Sequence, residues 1–222
     1  VELTPLPQPV PAQSVPRAEL AAFQRQISKR ADADLRPFYA AREFVPIWFD
    51  GAGRPSAAIG LLMEQLRTAE FDGVDPKPLQ VERLTKLLDK ARRGDEDNWA
   101  VAELELSRAL AAYVRAMRAA PKETMLYESA ALEPVIPTVR GVLDSASRVP
   151  LDTYVGEMGW MHPLYAPMRK ALTDPRFSEP QRRLIWTNLK RIRAIPGGIS
   201  DRHVLVDAAG ARPIHLRPQP LG

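Results

Sequence analysis

One long run of helical periodicity, over residues 95–120, constrains the fold of this chain more than any other feature of its sequence. Apolar residues recur along it, mostly at the three- and four-residue intervals of one helix face. These residues are Trp99, Leu104, Leu106, Leu110, Tyr113 and Met117. Acidic residues at positions 95–97 suit the positive end of a helix dipole, and Pro121 cannot continue a helix. The run therefore predicts the longest helix of the chain.

Shorter segments with the same periodicity cover most of residues 17–195, and prolines or glycines separate them. Ser178 and Gln181 have the spacing of a capping box, which predicts a helix that starts immediately after Ser178. Two β-like runs appear only at residues 202–207 and 211–217, with Gly210 between them. We therefore predict a mainly α fold, in which a multi-helix scaffold domain is followed by a short β-hairpin or strand.

The same pattern predicts three segments along the chain. Residues 1–16 contain five prolines and predict a proline-rich linker, with a docked PxxP ligand as the alternative. Residues 17–196 are the predicted helical scaffold domain, and residues 197–222 hold the β-like runs. Within the scaffold domain, the segment from Phe44 is too apolar for a free loop, while Pro46 excludes a helix interior. We expect an extended, buried strap there, with Trp48 and Phe49 as core anchors.

The side chains offer little for catalysis. The 222 residues contain no cysteine, which removes disulfides, thiolate nucleophiles and cysteine-based metal sites. His162 lies at a helix start and suits packing or capping, whereas His203 and His215 fall one position out of register in a hairpin with a two-residue turn. Glu103 and Glu105 predict a solvated helix face rather than a pair of catalytic carboxylates. We therefore expect no catalytic, cofactor-binding or metal-binding residue.

The strongest charge feature is a group of cations towards the end of the scaffold domain, here called the basic cluster. Its members are Arg182, Arg183, Lys190, Arg191 and Arg193, interleaved with apolar residues. The first interpretation is an amphipathic helix with its basic side in solvent. The second is a surface that binds a polyanion, a membrane surface or a partner protein. A net charge of only +4 is small for a dedicated nucleic-acid protein, so we do not expect nucleic acid as the partner. No apolar run reaches the ~18 residues of a membrane span.

Separated segments of the chain resemble the scaffold domain of the large, multi-domain murein L,D-transpeptidases. The first segment is LRPFYAAREFVPIWFDGAGRPS, residues 35–56, followed after a helix by FDGVDP, residues 71–76. The second is HPLYAPMRKAL, residues 162–172. The third is NLKRIRAIPGGISDRHVLVD, residues 188–207, which is similar to the helix and first strand that lead into the catalytic domain of that family. The segments occur in the order that the family has.

This resemblance implies a non-catalytic scaffold in a periplasmic protein that cross-links or remodels peptidoglycan, with peptidoglycan or a cell-wall protein as its partner. The family forms an acyl-enzyme on a catalytic cysteine, aided by a histidine, and this chain has no cysteine. No catalytic residue can be carried over, so we expect the chain by itself to be inactive. Residues 197–222 are expected to be a residual β-segment that resembles the start of the catalytic domain, in either a truncated product or a scaffold-only relative. The alternative function is a helical polyanion- or protein-binding module that uses the basic cluster.

Overall fold

The computed structural model describes residues 17–119, 133–195, 203–207 and 212–216. In these ranges the chain forms nine α-helices and one two-stranded antiparallel sheet, which confirms the mainly α fold. The helices are α1 (Arg17–Arg30), α2 (Arg36–Ala41), α3 (Ala57–Arg67), α4 (Val81–Ala91), α5 (Glu96–Arg118), α6 (Val139–Ala146), α7 (Leu151–Gly156), α8 (Tyr165–Ala171) and α9 (Glu179–Arg193). Short 3₁₀-helices at Ala69–Asp72 and Lys77–Leu79 connect α3 to α4. The predicted proline-rich linker, residues 1–16, lies outside the described residues.

Helix α5 is the longest described helix, as predicted, and it packs against α1, α3, α4 and α6. Its side chains are buried on several sides, because neighbouring helices cover more than one face. The carboxylate of Asp95 caps the helix by accepting a hydrogen bond from the Asn98 N–H at 3.3 Å. At the start of α9, Gln181 Oε1 accepts from the Ser178 N–H at 2.8 Å, which confirms the capping box.

The strap between α2 and α3 is buried, as its composition predicts. Trp48 is fully buried and Phe49 nearly so, and Phe49 forms an isolated antiparallel bridge with Pro55. Between these bridge partners the chain turns, because the Asp50 carboxylate accepts the N–H groups of Ala52 and Arg54, both at 2.9 Å. The strap is attached to α5 by Trp48, whose Nε1 donates to Ser107 Oγ at 2.9 Å.

Gly53, in this turn, cannot be replaced without strain. Its φ is +71°, in the left-handed region, and a Cβ at this position would overlap the indole ring of Trp99. Gly53→Ala is therefore expected to lower the free energy of unfolding by about 2 kcal/mol. The matched control is Gly60→Ala in α3, where a Cβ meets no atom within 4 Å. Because Gly60 is inside a helix, its replacement should instead raise stability by about 0.5–1 kcal/mol. Urea denaturation of both variants checks this, and equal midpoints would contradict the placement of Gly53.

The sheet is a hairpin of β1 (His203–Asp207) and β2 (Arg212–Leu216). Val204 pairs with His215 and His203 pairs with Leu216, so the two histidines are one position out of register. Pro213 lies within β2. Proline has no N–H to donate to a neighbouring strand, so it is tolerated at the edge of a sheet, and both strands of a two-stranded sheet are edge strands.

Among the helices of the described ranges, none combines the length and apolarity that crossing a bilayer requires.

Candidate functional site

An open groove of about 910 Å³ lies between α3, α7 and α8, a size typical of sites for small molecules and short peptides. Its apolar lining includes Leu61, Phe71, Met158, Met161, Pro163 and Pro167. Phe71 is 37 % exposed, although phenylalanine is normally buried. The groove thus presents apolar surface to solvent beside polar side chains.

One wall of the groove contains a strained residue. Met158 has a φ of +51°, in the left-handed region, and its side chain is buried. A non-glycine residue pays about 1–2 kcal/mol for this conformation, and such strain is concentrated at functional sites. Next to it, the Gln65 side chain donates from Nε2 to the Val155 carbonyl at 2.7 Å, while its buried Oε1 has no hydrogen-bond partner in the described residues.

A buried polar cluster, here called the Asp72 cluster, lies beneath the groove. The Asp72 carboxylate accepts hydrogen bonds from the Tyr113 hydroxyl at 2.7 Å, the Tyr165 hydroxyl at 2.8 Å and Arg169 Nε at 2.8 Å. The Asp72 carbonyl also accepts a hydrogen bond from Arg193 Nη1. Burial raises the pKa of both tyrosines, so their hydroxyls remain protonated donors. The cluster consists of these five residues and connects four separate parts of the chain.

Arg169 joins the Asp72 cluster to the groove that it lines. Burial lowers the pKa of its guanidinium, but the hydrogen bonds and charge of Asp72 outweigh this, so the pKa is raised overall. Its Nη2 donates to Thr68 Oγ1 at 2.7 Å and to the Thr68 carbonyl at 3.2 Å. The guanidinium is therefore held in one orientation, with 14 % of the side chain exposed.

Only some members of the basic cluster lie at the protein surface. Arg183 and Arg191 are exposed, and Lys190 lies with its Nζ 3.3 Å from the centre of the Trp186 ring. Arg182 is half-buried and donates from Nη2 to the Asp174 carbonyl at 3.2 Å. Leu184 and Trp186 are also exposed, by 61 % and 39 %, so the outer side of α9 is mixed rather than purely basic.

Arg193 does not belong to this surface, which corrects the prediction that grouped it with the other cations. Its side chain is buried and donates to the main-chain carbonyls of Met117, Ala116 and Asp72. Arg193 follows Leu189 by four positions, so both face the core side of α9. Its role is to attach α9 to the end of α5 and to the Asp72 cluster.

A family model described as "Scaffold domain" matches residues 33–172, more than half of the 222-residue chain. The chain belongs to the Scaffold domain family. The matched range of this Scaffold domain contains the strap, α5, the whole of α8 and four members of the Asp72 cluster, and it ends before α9. No curated protein and no solved structure gives a significant match to the chain.

A second buried polar group in the Scaffold domain was missed by the sequence analysis, which expected a solvated face at Glu103. Glu103 is fully buried instead. Its carboxylate accepts hydrogen bonds from the Ile47 N–H at 2.6 Å, the Trp48 N–H at 3.0 Å and the Tyr39 hydroxyl at 2.8 Å. Ser107 completes this group by accepting from Trp48 Nε1 at 2.9 Å. Burial raises the pKa of Glu103 to about 7, although the hydrogen bonds from Ile47, Tyr39 and Trp48 oppose the shift.

The described part of the Scaffold domain holds no group of three histidine or acidic side chains arranged to bind a metal ion. His162 is buried, and its Nδ1 accepts the Leu164 N–H at 3.3 Å just before α8. Of the packing or capping role expected for it, the burial agrees with packing, since no side chain of the described residues caps α8. The groove and the Asp72 cluster were not foreseen as a site. Of their residues, Phe71, Asp72, Tyr165 and Arg169 lie in the FDGVDP and HPLYAPMRKAL segments, whereas Tyr113 and Arg193 were noted only for the α5 stripe and the basic cluster.

Proposed function

We propose that this chain is the non-catalytic scaffold portion of a periplasmic, L,D-transpeptidase-like protein that takes part in peptidoglycan cross-linking or remodelling. The observation that carries the proposal is the composition of the Asp72 cluster. Asp72 comes from the FDGVDP segment, Tyr165 and Arg169 come from HPLYAPMRKAL, and Arg193 comes from NLKRIRAIP. Three of the segments that resemble the transpeptidase family thus meet at one buried point.

This meeting point has a structural consequence that suits a scaffold. The cluster fixes α9, through Arg193, to α5 and to the 3₁₀-helix that ends at Asp72. In the resembled family, the segment similar to α9 leads into the first strand of the catalytic domain. A rigid attachment of α9 would therefore set the position from which a catalytic domain starts. This is a supporting function, for which the chain needs no reactive group of its own.

The chain by itself is expected to be retained by purified peptidoglycan sacculi and to have no L,D-transpeptidase activity, because it has no thiolate to form an acyl-enzyme. Retention is measured by co-sedimentation at low and physiological salt, and activity by chromatography of tetrapeptide-containing muropeptides after incubation. Cross-linked dimers above the blank would refute the non-catalytic assignment. Absence from the sacculus pellet at both salt concentrations would count against peptidoglycan as the partner.

The alternative function is a polyanion- or protein-binding module, and the exposed cations on α9 are the observation that favours it. A variant with Arg183, Lys190 and Arg191 all changed to alanine separates the two functions, because these residues lie outside the Asp72 cluster. Exposed charges are screened over about 8 Å at physiological ionic strength, so binding that rests on them should fade as salt rises. Tight binding of duplex DNA that survives physiological salt and is lost in this variant would establish the alternative.

A further inference from the structure

The Asp72 cluster, which reaches the groove through Arg169, carries a net positive charge. It contains two guanidinium groups, those of Arg169 and Arg193, and a single carboxylate, that of Asp72. Because these groups are buried, solvent screens their field less than it screens surface charges. Lys170, which is exposed and lines the groove next to Arg169, adds a further cation. An anionic group in the groove would therefore be attracted to the α8 side.

Arg169 also has hydrogen-bonding capacity that its neighbours leave unused. Its Nε donates to Asp72 and its Nη2 donates to Thr68, but its Nη1 has no hydrogen-bond partner among the described residues. A guanidinium held this firmly loses little further entropy when it binds a ligand, and carboxylates are well matched to its geometry. Arg169 and Lys170, which both line the groove, are the cations that a ligand carboxylate could reach there.

The groove also has acidic side chains. Glu64 in α3 and Glu157 after α7 line it, and both side chains are exposed without an ion pair in the described residues. The apolar surfaces of Phe71, Met158 and Met161 line the same groove. A ligand that matches this arrangement has a carboxylate, an amine and small apolar groups between them. A short peptide with a basic side chain has all three.

We propose that the groove binds a short peptide, with its carboxylate on Arg169 Nη1 and Lys170, its amine towards Glu64 and Glu157, and its small side chains against Phe71 and Met161. A peptidoglycan stem tetrapeptide that contains a diamino acid has this chemistry. The naming of that particular peptide rests on the proposed function, whereas the preference for a zwitterionic peptide rests on the groove alone.

The test is calorimetric titration of the chain with a disaccharide-tetrapeptide muropeptide. The variant is Lys170→Glu, and the matched control is Lys190→Glu on the outer side of α9. Lys170→Glu is expected to weaken binding at least tenfold, as removal of a charge-assisted hydrogen bond does. Lys190→Glu should change it less than twofold. Amidation of the terminal carboxylate should weaken binding to the wild-type chain and have little further effect on Lys170→Glu. Equal thermal midpoints of the three proteins establish that both variants fold.

The outcomes test the binding of a peptide in the groove separately from the proposed function. A muropeptide that does not bind, or that loses affinity equally in the two variants, overturns the inference. If sacculi still retain the chain in that case, the proposed function stands without the groove. A synthetic tetrapeptide of L-alanine and L-lysine serves as the second ligand. If it binds as tightly as the muropeptide and is equally sensitive to Lys170→Glu, the groove is a peptide site and the peptidoglycan assignment loses its support.

Discussion

Asp72→Asn is expected to lower the free energy of unfolding by about 3–5 kcal/mol, the range observed when one partner of a buried ion pair is removed. The asparagine amide has nearly the shape of the carboxylate, so the packing of the cluster is unchanged. The charge is lost, however, and the Arg169 guanidinium is left largely buried without its counter-ion. The amide nitrogen would also face a hydrogen-bond donor in Tyr113, Tyr165 or Arg169. Urea denaturation followed by circular dichroism measures the loss.

The matched control is Asp75→Asn, three positions along the same segment. Asp75 is exposed, and among the described residues its carboxylate accepts only the Lys77 N–H, which an asparagine oxygen can also accept. Its replacement should change stability by less than about 0.5 kcal/mol. Adding Arg169→Met to Asp72→Asn should restore part of the loss, because the uncompensated charge is removed. A loss below about 1 kcal/mol in Asp72→Asn would mean that the cluster does not hold these four parts of the chain together.

Local patterns predicted the elements of this fold well. The periodicity of α5, the capping box of α9 and the buried strap at Trp48 each depend on residues a few positions apart, so the sequence carries the whole signal. The Asp72 cluster is different, because its members range from position 72 to position 193. Nothing in a single sequence indicates that an aspartate at the end of a short 3₁₀-helix accepts hydrogen bonds from distant tyrosines and an arginine. Only the family resemblance marked these segments as related.

The two incorrect expectations have a common cause. Arg193 was grouped by charge with its neighbours, although its four-residue spacing from Leu189 places it on the core side of α9. Glu103 was placed in solvent, although it lies three positions before Leu106 and seven before Leu110, both of which are buried. In each case the helical period predicts burial while the charge predicts exposure. Tertiary hydrogen bonds stabilise both side chains in their buried positions, and the sequence does not identify the partners in those bonds.

Glu103 should make the stability of the chain fall as the pH rises from about 4.5 to 7. Its pKa is about 7 in the folded chain and 4.5 in its ordinary environment, chiefly because burial disfavours the charged form. Below pH 4.5 the carboxyl is protonated in both states and its contribution is fully present. As the pH rises, the unfolded chain loses the proton first, so folding becomes less favourable until the folded carboxyl also ionises near pH 7. Through this group, the free energy of unfolding decreases by about 3 kcal/mol between pH 4.5 and pH 7.

The variant Glu103→Gln isolates the contribution of this carboxyl group, because a glutamine side chain has no charge at any pH. Between pH 4.5 and 7, the free energy of unfolding of this variant should therefore lack the fall of about 3 kcal/mol that the wild-type chain shows. Glu105→Gln is the control, because Glu105 forms ion pairs with Arg83 at 3.2 Å and with Arg108 at 2.6 Å. This variant should still show the decrease in the free energy of unfolding between pH 4.5 and 7. Urea denaturation in a series of buffers measures all three proteins. Parallel curves for the wild type and Glu103→Gln would show that the buried carboxylate stays ionised, because its donors at Tyr39, Ile47 and Trp48 then outweigh the cost of burial.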